Sequence, residues 1–261
     1  MDKRDRQLKS FGKLLEIMDE LREKCPWDRE QTFESLRNLT IEETYELADA
    51  VSNRNVKEIR KELGDLMLHI VFYSKIAEEK GEFDVGDMID SLCEKLIFRH
   101  PHIYGEVDVK GSSENVKRNW EELKQREGNE SVLSGVPGGM PALIKANRIQ
   151  EKVRAVGFDW DERNQIWDKV REELSELQDE VNAGNVPEIE KELGDLLFSV
   201  VNAARLYGID PESALEKTNR KFIKRFNYLE ENTIRKGRPL KDMNLDEMNE
   251  IWEEAKKFDS E

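Results

Sequence analysis

Cysteine is nearly absent: Cys25 and Cys93 are the only two in 261 residues. That is too few for a disulfide framework or a cysteine-built zinc site, and it points to a reducing compartment. No apolar run approaches the length of a membrane span, and residues 1–10 are too charged for a secretory signal. The expectation is a cytoplasmic protein with no membrane partner. Positive charge is also short, with 42 Lys and Arg against 57 Asp and Glu, a net −15. The deficit is −8 over residues 1–130 and −7 over the rest, so it is not an acidic tail. Such a chain lacks the electrostatic footprint of a nucleic-acid polymer binder and can hold phosphates only where divalent cations bridge the like charges. Hydrophobic residues make up 37%, which suits helices with long charged solvent faces. No stretch alternates polar and apolar residues for long, so the chain reads as all-α.

What is present is a duplication. Residues 42–49 (Glu-Glu-Thr-Tyr-Glu-Leu-Ala-Asp) precede residues 55–66, and residues 172–179 (Glu-Glu-Leu-Ser-Glu-Leu-Gln-Asp) precede residues 185–196 at a constant offset of 130. Between residues 55–66 and their second copy only Lys57 and Arg60 change. The separation between the two acidic clusters is the same in each copy, which marks a geometric requirement. The repeat splits the chain into two tandem helical-bundle domains of four to five helices each, at 1–127 and 142–261. Residues 128–141, rich in Gly, Ser and Pro, form the linker.

Apolar spacing places a helix over 8–24, carrying Leu8, Phe11, Leu14, Leu15, Met18 and Leu21 and ended at Pro26. Trp27 beyond it is either a core plug or a pocket wall. A helix over 41–52 with Thr40 as its N-cap is followed by a turn at 52–55 and a long helix over 56–79. Within the latter, residues 66–72 are apolar nearly all round and predict burial. Gly64, repeated as Gly194, predicts the close approach of another backbone. Further helices are expected at 87–99, 113–126, 142–154, 163–182, 187–206, 211–235 and around Trp252, with a loop at 99–105.

Three glutamates on one helix face, taken alone, usually form a solvated surface. Here the clusters lie on consecutive helices joined by a short turn, so antiparallel packing brings them face to face. Glu43/Glu46 and Glu62/Asp65 are each spaced i, i+3, aiming two carboxylates at one point, and Glu62 and Asp65 open into an apolar run. Carboxylates so placed raise one another's pKa unless a cation intervenes. All-oxygen ligation suits Mg²⁺, or Mn²⁺, and Mg²⁺ commonly bridges to substrate phosphates. A ferritin-like di-iron site needs Glu-x-x-His, which neither copy has.

The pattern Glu-Glu-x-x-Glu followed by Glu-x-x-Asp resembles that of the MazG-type nucleoside triphosphate pyrophosphohydrolases, all-α enzymes related to the dimeric dUTPases. Cys25-Pro26-Trp27-Asp28, Gln31-Thr32, Arg99-His100-Pro101-His102, Pro141-Ala142-Leu143 and Gly157-Phe158-Asp159-Trp160 extend the likeness over nearly the whole chain. The resemblance implies Mg²⁺-dependent hydrolysis of an NTP or dNTP between its α- and β-phosphates, giving NMP and pyrophosphate, with a role in nucleotide-pool control. It implies Glu43, Glu46, Glu62 and Asp65 as metal ligands in the first copy, and Glu173, Glu176, Glu192 and Asp195 in the second. Glu42 and Glu172, one residue away, become candidates to orient the attacking water. Lys169, Lys221, Arg225 and Trp252 are the expected phosphate and base contacts of the second copy; Arg99, Lys117, Trp120 and Lys124 are those of the first. Phe33 departs from the family's usual His, and Glu58 and Glu188 stand where some relatives have Lys. Domains this small suggest pockets completed by a partner chain, so a homodimer is expected. A nucleotide-sensing module with one or both sites degenerate is the alternative, and a purely structural helical repeat a third.

Overall fold

The computed structural model describes residues 2–107, 116, 123, 131–160 and 163–258. Among these residues every regular element is helical and no strand occurs. Of the expected helix at 113–126 only residues 116 and 123 are described, both helical; Lys117, Trp120 and Lys124 lie outside the described residues. The chain divides into two compact units, residues 1–108 and 109–261.

The first unit comprises α1 (Lys3–Lys24), α2 (Pro26–Glu30), α3 (Phe33–Ser52), α4 (Val56–Glu79), α5 (Val85–Arg99) and α6 (Pro101–Tyr104). Pro26 both stops α1 and opens α2, since its missing N–H costs nothing at a first helical position. Two expectations need correction here. Residues 101–104 form a helical turn rather than open loop. The helix carrying the first acidic cluster begins at Phe33, not after Thr40, because Thr32 and Ser35 form a reciprocal capping box. Thr40 is therefore interior, and its hydroxyl donates to the Leu36 carbonyl at 3.0 Å. The same oxygen is hydrogen-bonded with Tyr73 Oη at 2.7 Å and with His69 Nδ1 at 2.6 Å.

Antiparallel packing of α3 on α4 across the turn Asn53–Asn55 sets the register of the unit. Met18, Leu36, Val71, Phe72 and Ile76 form the buried core, each such side chain stabilising by about 1.5–3 kcal/mol. Arg22 closes the end of the unit nearest α2. It pairs with Glu79, donates to the carbonyls of Asp28 and Gln31, and lies 5.6 Å from the Phe72 ring centre. Trp27 is 56% exposed, which excludes the core plug.

The second unit comprises α7 (Ala142–Ala155), α8 (Gln165–Ala183), α9 (Val186–Leu206), α10 (Pro211–Asn232) and α11 (Leu245–Ala255). Its α8–α9 hairpin repeats α3–α4, with Ile166 and Val201 buried at the positions of Leu36 and Val71. The turns match as well. Gly184 takes a left-handed φ of 71°, and Arg54, its counterpart, takes 53°, a conformation that an L side chain adopts only under strain.

The apolar stretch of α4 is buried on one face only. Leu63, Met67 and Ile70 are exposed, and so are their counterparts Leu193, Leu197 and Val200. Nor does any described atom come within 4 Å of a Cβ built on Gly64 or Gly194. Among the described residues of each unit no element packs on that face, so the expected burial and close approach are not met there.

Candidate metal centre

The packing of α3 against α4 brings carboxylates of the two helices together. Carboxylate oxygens of Glu43, Glu62 and Asp65 lie within 4.8 Å of one another. Glu62 is buried although ionisable, and Glu43 Oε2 is buried with no hydrogen-bond partner among the described residues. Burial pushes the Glu43 carboxyl above its ordinary range, and Asp65, Glu46 and Glu62 push it further. Glu46 joins the group through Lys61, whose ammonium lies 2.9 Å from Glu62, 3.7 Å from Glu46 and 3.7 Å from Asp65. Glu42 is exposed beside the cluster.

In the second unit Glu173, Glu176 and Glu192 bring oxygens within the same 4.8 Å. Asp195 is exposed and outside that trio. Burial raises the Glu192 carboxyl, and Glu176, Asp195 and Glu173 add to the effect. Lys169 lies 2.8 Å from Glu172 and 2.7 Å from Glu173.

The donor sets fit a hard divalent cation: they are all oxygen, come from two facing helices, and in the first unit include a buried acceptor that nothing among the described residues satisfies. The cavity in the first unit bounded by Leu15, Met18, Lys75 and Asp84 contains none of these carboxylates.

The proposed substrate contacts are placed as follows. Arg225 lies over the Trp252 ring at 5.6 Å, and Phe222 packs on the same indole at a centroid distance of 5.0 Å. Lys221 is exposed on α10, beside this aromatic group, and Arg99 is half-buried at the end of α5. Sequence reasoning had not singled out Lys61, although it stands inside the repeated motif. It also missed the bond of Thr40 with His69 and Tyr73, one turn beyond Asp65. Burial lowers the His69 pKa, opposed in part by Asp65.

Comparison with known proteins bears on the chemistry. The MazG nucleotide pyrophosphohydrolase domain matches residues 31–104 and 162–229, one match over each acidic hairpin. The chain is 43% identical over 251 residues to the nucleoside triphosphate pyrophosphohydrolase/pyrophosphatase MazG of Thermotoga maritima, covering 94% of this chain and 95% of that protein. It is 39% identical over 259 residues to the nucleoside triphosphate pyrophosphohydrolase of Escherichia coli K12, covering 96% and 98%.

Proposed function

Because this chain belongs to the MazG nucleotide pyrophosphohydrolase family and is a nucleoside triphosphate pyrophosphohydrolase, we propose that each acidic hairpin is a Mg²⁺-dependent site cleaving NTPs or dNTPs between the α- and β-phosphates, a reaction suited to nucleotide-pool control. The observation that carries this reading is the convergence of carboxylates from facing helices around an unpartnered buried oxygen of Glu43. Glu43, Glu46, Glu62 and Asp65 would hold the cation in the first copy, and Glu173, Glu176, Glu192 and Asp195 in the second; Mn²⁺ satisfies the same donors. When bound, the ion supplies charge neutralisation and Lewis acidity toward the triphosphate.

The chain's own residues supply the rest. Glu42 and Glu172, on the solvent side of the ligand sets, accept a proton from the attacking water and orient it. Lys169, Lys221, Arg225 and Trp252 receive phosphate and base in the second copy, and Arg99, Lys117, Trp120 and Lys124 do so in the first. Basic groups there stabilise charge developing on the phosphoryl oxygens. Each carboxylate of the motif recurs in both copies, which favours turnover over a binding-only module.

The recurrence of an exposed apolar face at Leu63, Met67 and Ile70 and again at Leu193, Leu197 and Val200, each beside an uncrowded glycine, supports a homodimer closed over these faces. Light scattering at twice the chain mass is the expected result.

The test of function is pyrophosphate release from a panel of NTPs. Glu43→Ala and Glu173→Ala each remove the contribution of one copy, and the double variant is inactive while circular dichroism shows its helices intact. Parental turnover by the double variant refutes the assignment.

A further inference from the structure

The two acidic clusters are not bare: each already holds a cation, and the two cations come from non-equivalent positions. In the first copy the cation is Lys61. Its Nζ donates to both oxygens of Glu62, at 2.9 and 3.1 Å, and lies 3.7 Å from Glu46 on α3 and from Asp65 on α4. It thus touches three of the four carboxylates assigned to the metal and spans both helices. Its counterpart in the repeat, Lys191, does something else, donating to Glu188 at 2.6 Å. In the second copy the ammonium comes from Lys169 on α8, bound to Glu172 and Glu173, at a position where the first copy has Leu39. The two copies therefore keep an ammonium on a buried glutamate of each cluster, but supply it from different helices.

We infer that Lys61 is an exchangeable counter-ion of the first cluster: its ammonium holds the cation position while the metal is absent, and divalent-ion entry and lysine release are one coupled event. This rests on the metal-site reading above. An ammonium stands about 2.9 Å from a carboxylate oxygen, whereas Mg²⁺ stands about 2.1 Å away; both cannot use the two oxygens of Glu62 at once. The lysine side chain is 58% exposed while Glu62 is only 5% exposed. Lys61 is therefore free to swing into water, and the buried carboxylate must trade one cation for another. In the second copy Lys169 engages one helix only, so ion entry there displaces fewer contacts.

The experiment uses the full chain carrying Glu192→Gln, which silences the second cluster, and titrates it calorimetrically with Mn²⁺ alone. Lys61→Met, which removes the competing charge, is expected to tighten Mn²⁺ binding about three- to tenfold. Lys61→Arg, which keeps the charge, is expected to give markedly less tightening than Met, and Lys191→Met leaves the affinity unchanged. An independent readout needs no substitution at Lys61: reductive methylation of its amine, followed by mass spectrometry, is expected to rise when Mn²⁺ saturates the protein. Binding that Lys61→Met leaves unchanged or weakens, or methylation that Mn²⁺ leaves unaltered, overturns the counter-ion role while sparing the metal site. Absence of Mn²⁺ binding by the Glu192→Gln chain overturns the metal site itself, and this inference with it.

Discussion

Replacing a metal ligand should stabilise the metal-free enzyme, and Glu43→Gln is the sharpest case. Oxygens of Glu43, Glu62 and Asp65 lie within 4.8 Å of one another. Two unit charges at that distance repel by about 3.5 kcal/mol at an effective dielectric of about 20. Asp65 is 39% exposed and Lys61 offsets part of the charge, so screening reduces the net gain from neutralising Glu43 to about 1 kcal/mol. The carboxamide also gives the orphaned Oε2 position a group able to donate to a neighbouring carboxylate. With saturating Mg²⁺ the order reverses. A ligand at a hundred times its Kd adds about 2.7 kcal/mol to the folded state, and the variant loses that increment. Hydrogen exchange over peptides of α3 and α4 reads the opening free energy of this hairpin without interference from the second unit. In EDTA the variant hairpin should exchange more slowly than the parent, and in Mg²⁺ faster. A variant less stable than the parent in EDTA, yet equally protected by Mg²⁺, would refute the claim that Lys61 leaves a net repulsion on Glu43.

Three other substitutions test the scaffold. Arg54→Gly should stabilise the first unit by about 0.5 kcal/mol, because it relieves a left-handed φ of 53° at the cost of a more flexible unfolded chain, whereas Gly184→Ala should cost the second unit about 1 kcal/mol; thermal unfolding of each variant reads both signs. Arg22→Met strands two carbonyls and the Glu79 carboxylate, and should cost about 3 kcal/mol after allowance for the 38% exposure of Glu79. The hydrogen bond from Arg22 holds the Glu79 carboxyl below its ordinary range despite opposing burial. That stabilisation is complete above the unfolded pKa of about 4.3 and is lost as pH falls through the lower folded value. The stability gap between parent and Arg22→Met, measured in urea, should therefore narrow as the pH drops below about 4 and stay constant between 5 and 7.

How much of this was legible in the sequence depends on which residues decide each feature. The all-α fold and α4 were readable because helical periodicity and turn residues such as Asn53–Asn55 and Gly184 act locally. The start of α3 was not, since two hydroxyls compete for the cap. Thr40 has the right chemistry for an N-cap, but Thr32 has it with a reciprocating Ser35, and only packing shows that Thr40 is spoken for by His69 and Tyr73. The acidic hairpins were legible because duplication fixed a spacing that a solvated face would not conserve. The lysines were not, because identity of position misleads there: Lys61 and Lys191 are equivalent in the repeat, yet only Lys61 enters its cluster, and Lys169, from a position with no lysine in the first copy, replaces it in the second. Gly64 and Gly194 make the same point for surfaces. The sequence carries the demand for close approach, but among the described residues of each unit nothing meets it, and the apolar residues beside both glycines remain exposed. That recurrence at Gly64 and Gly194, met by nothing among the described residues of either unit, is why the homodimer is proposed over these faces.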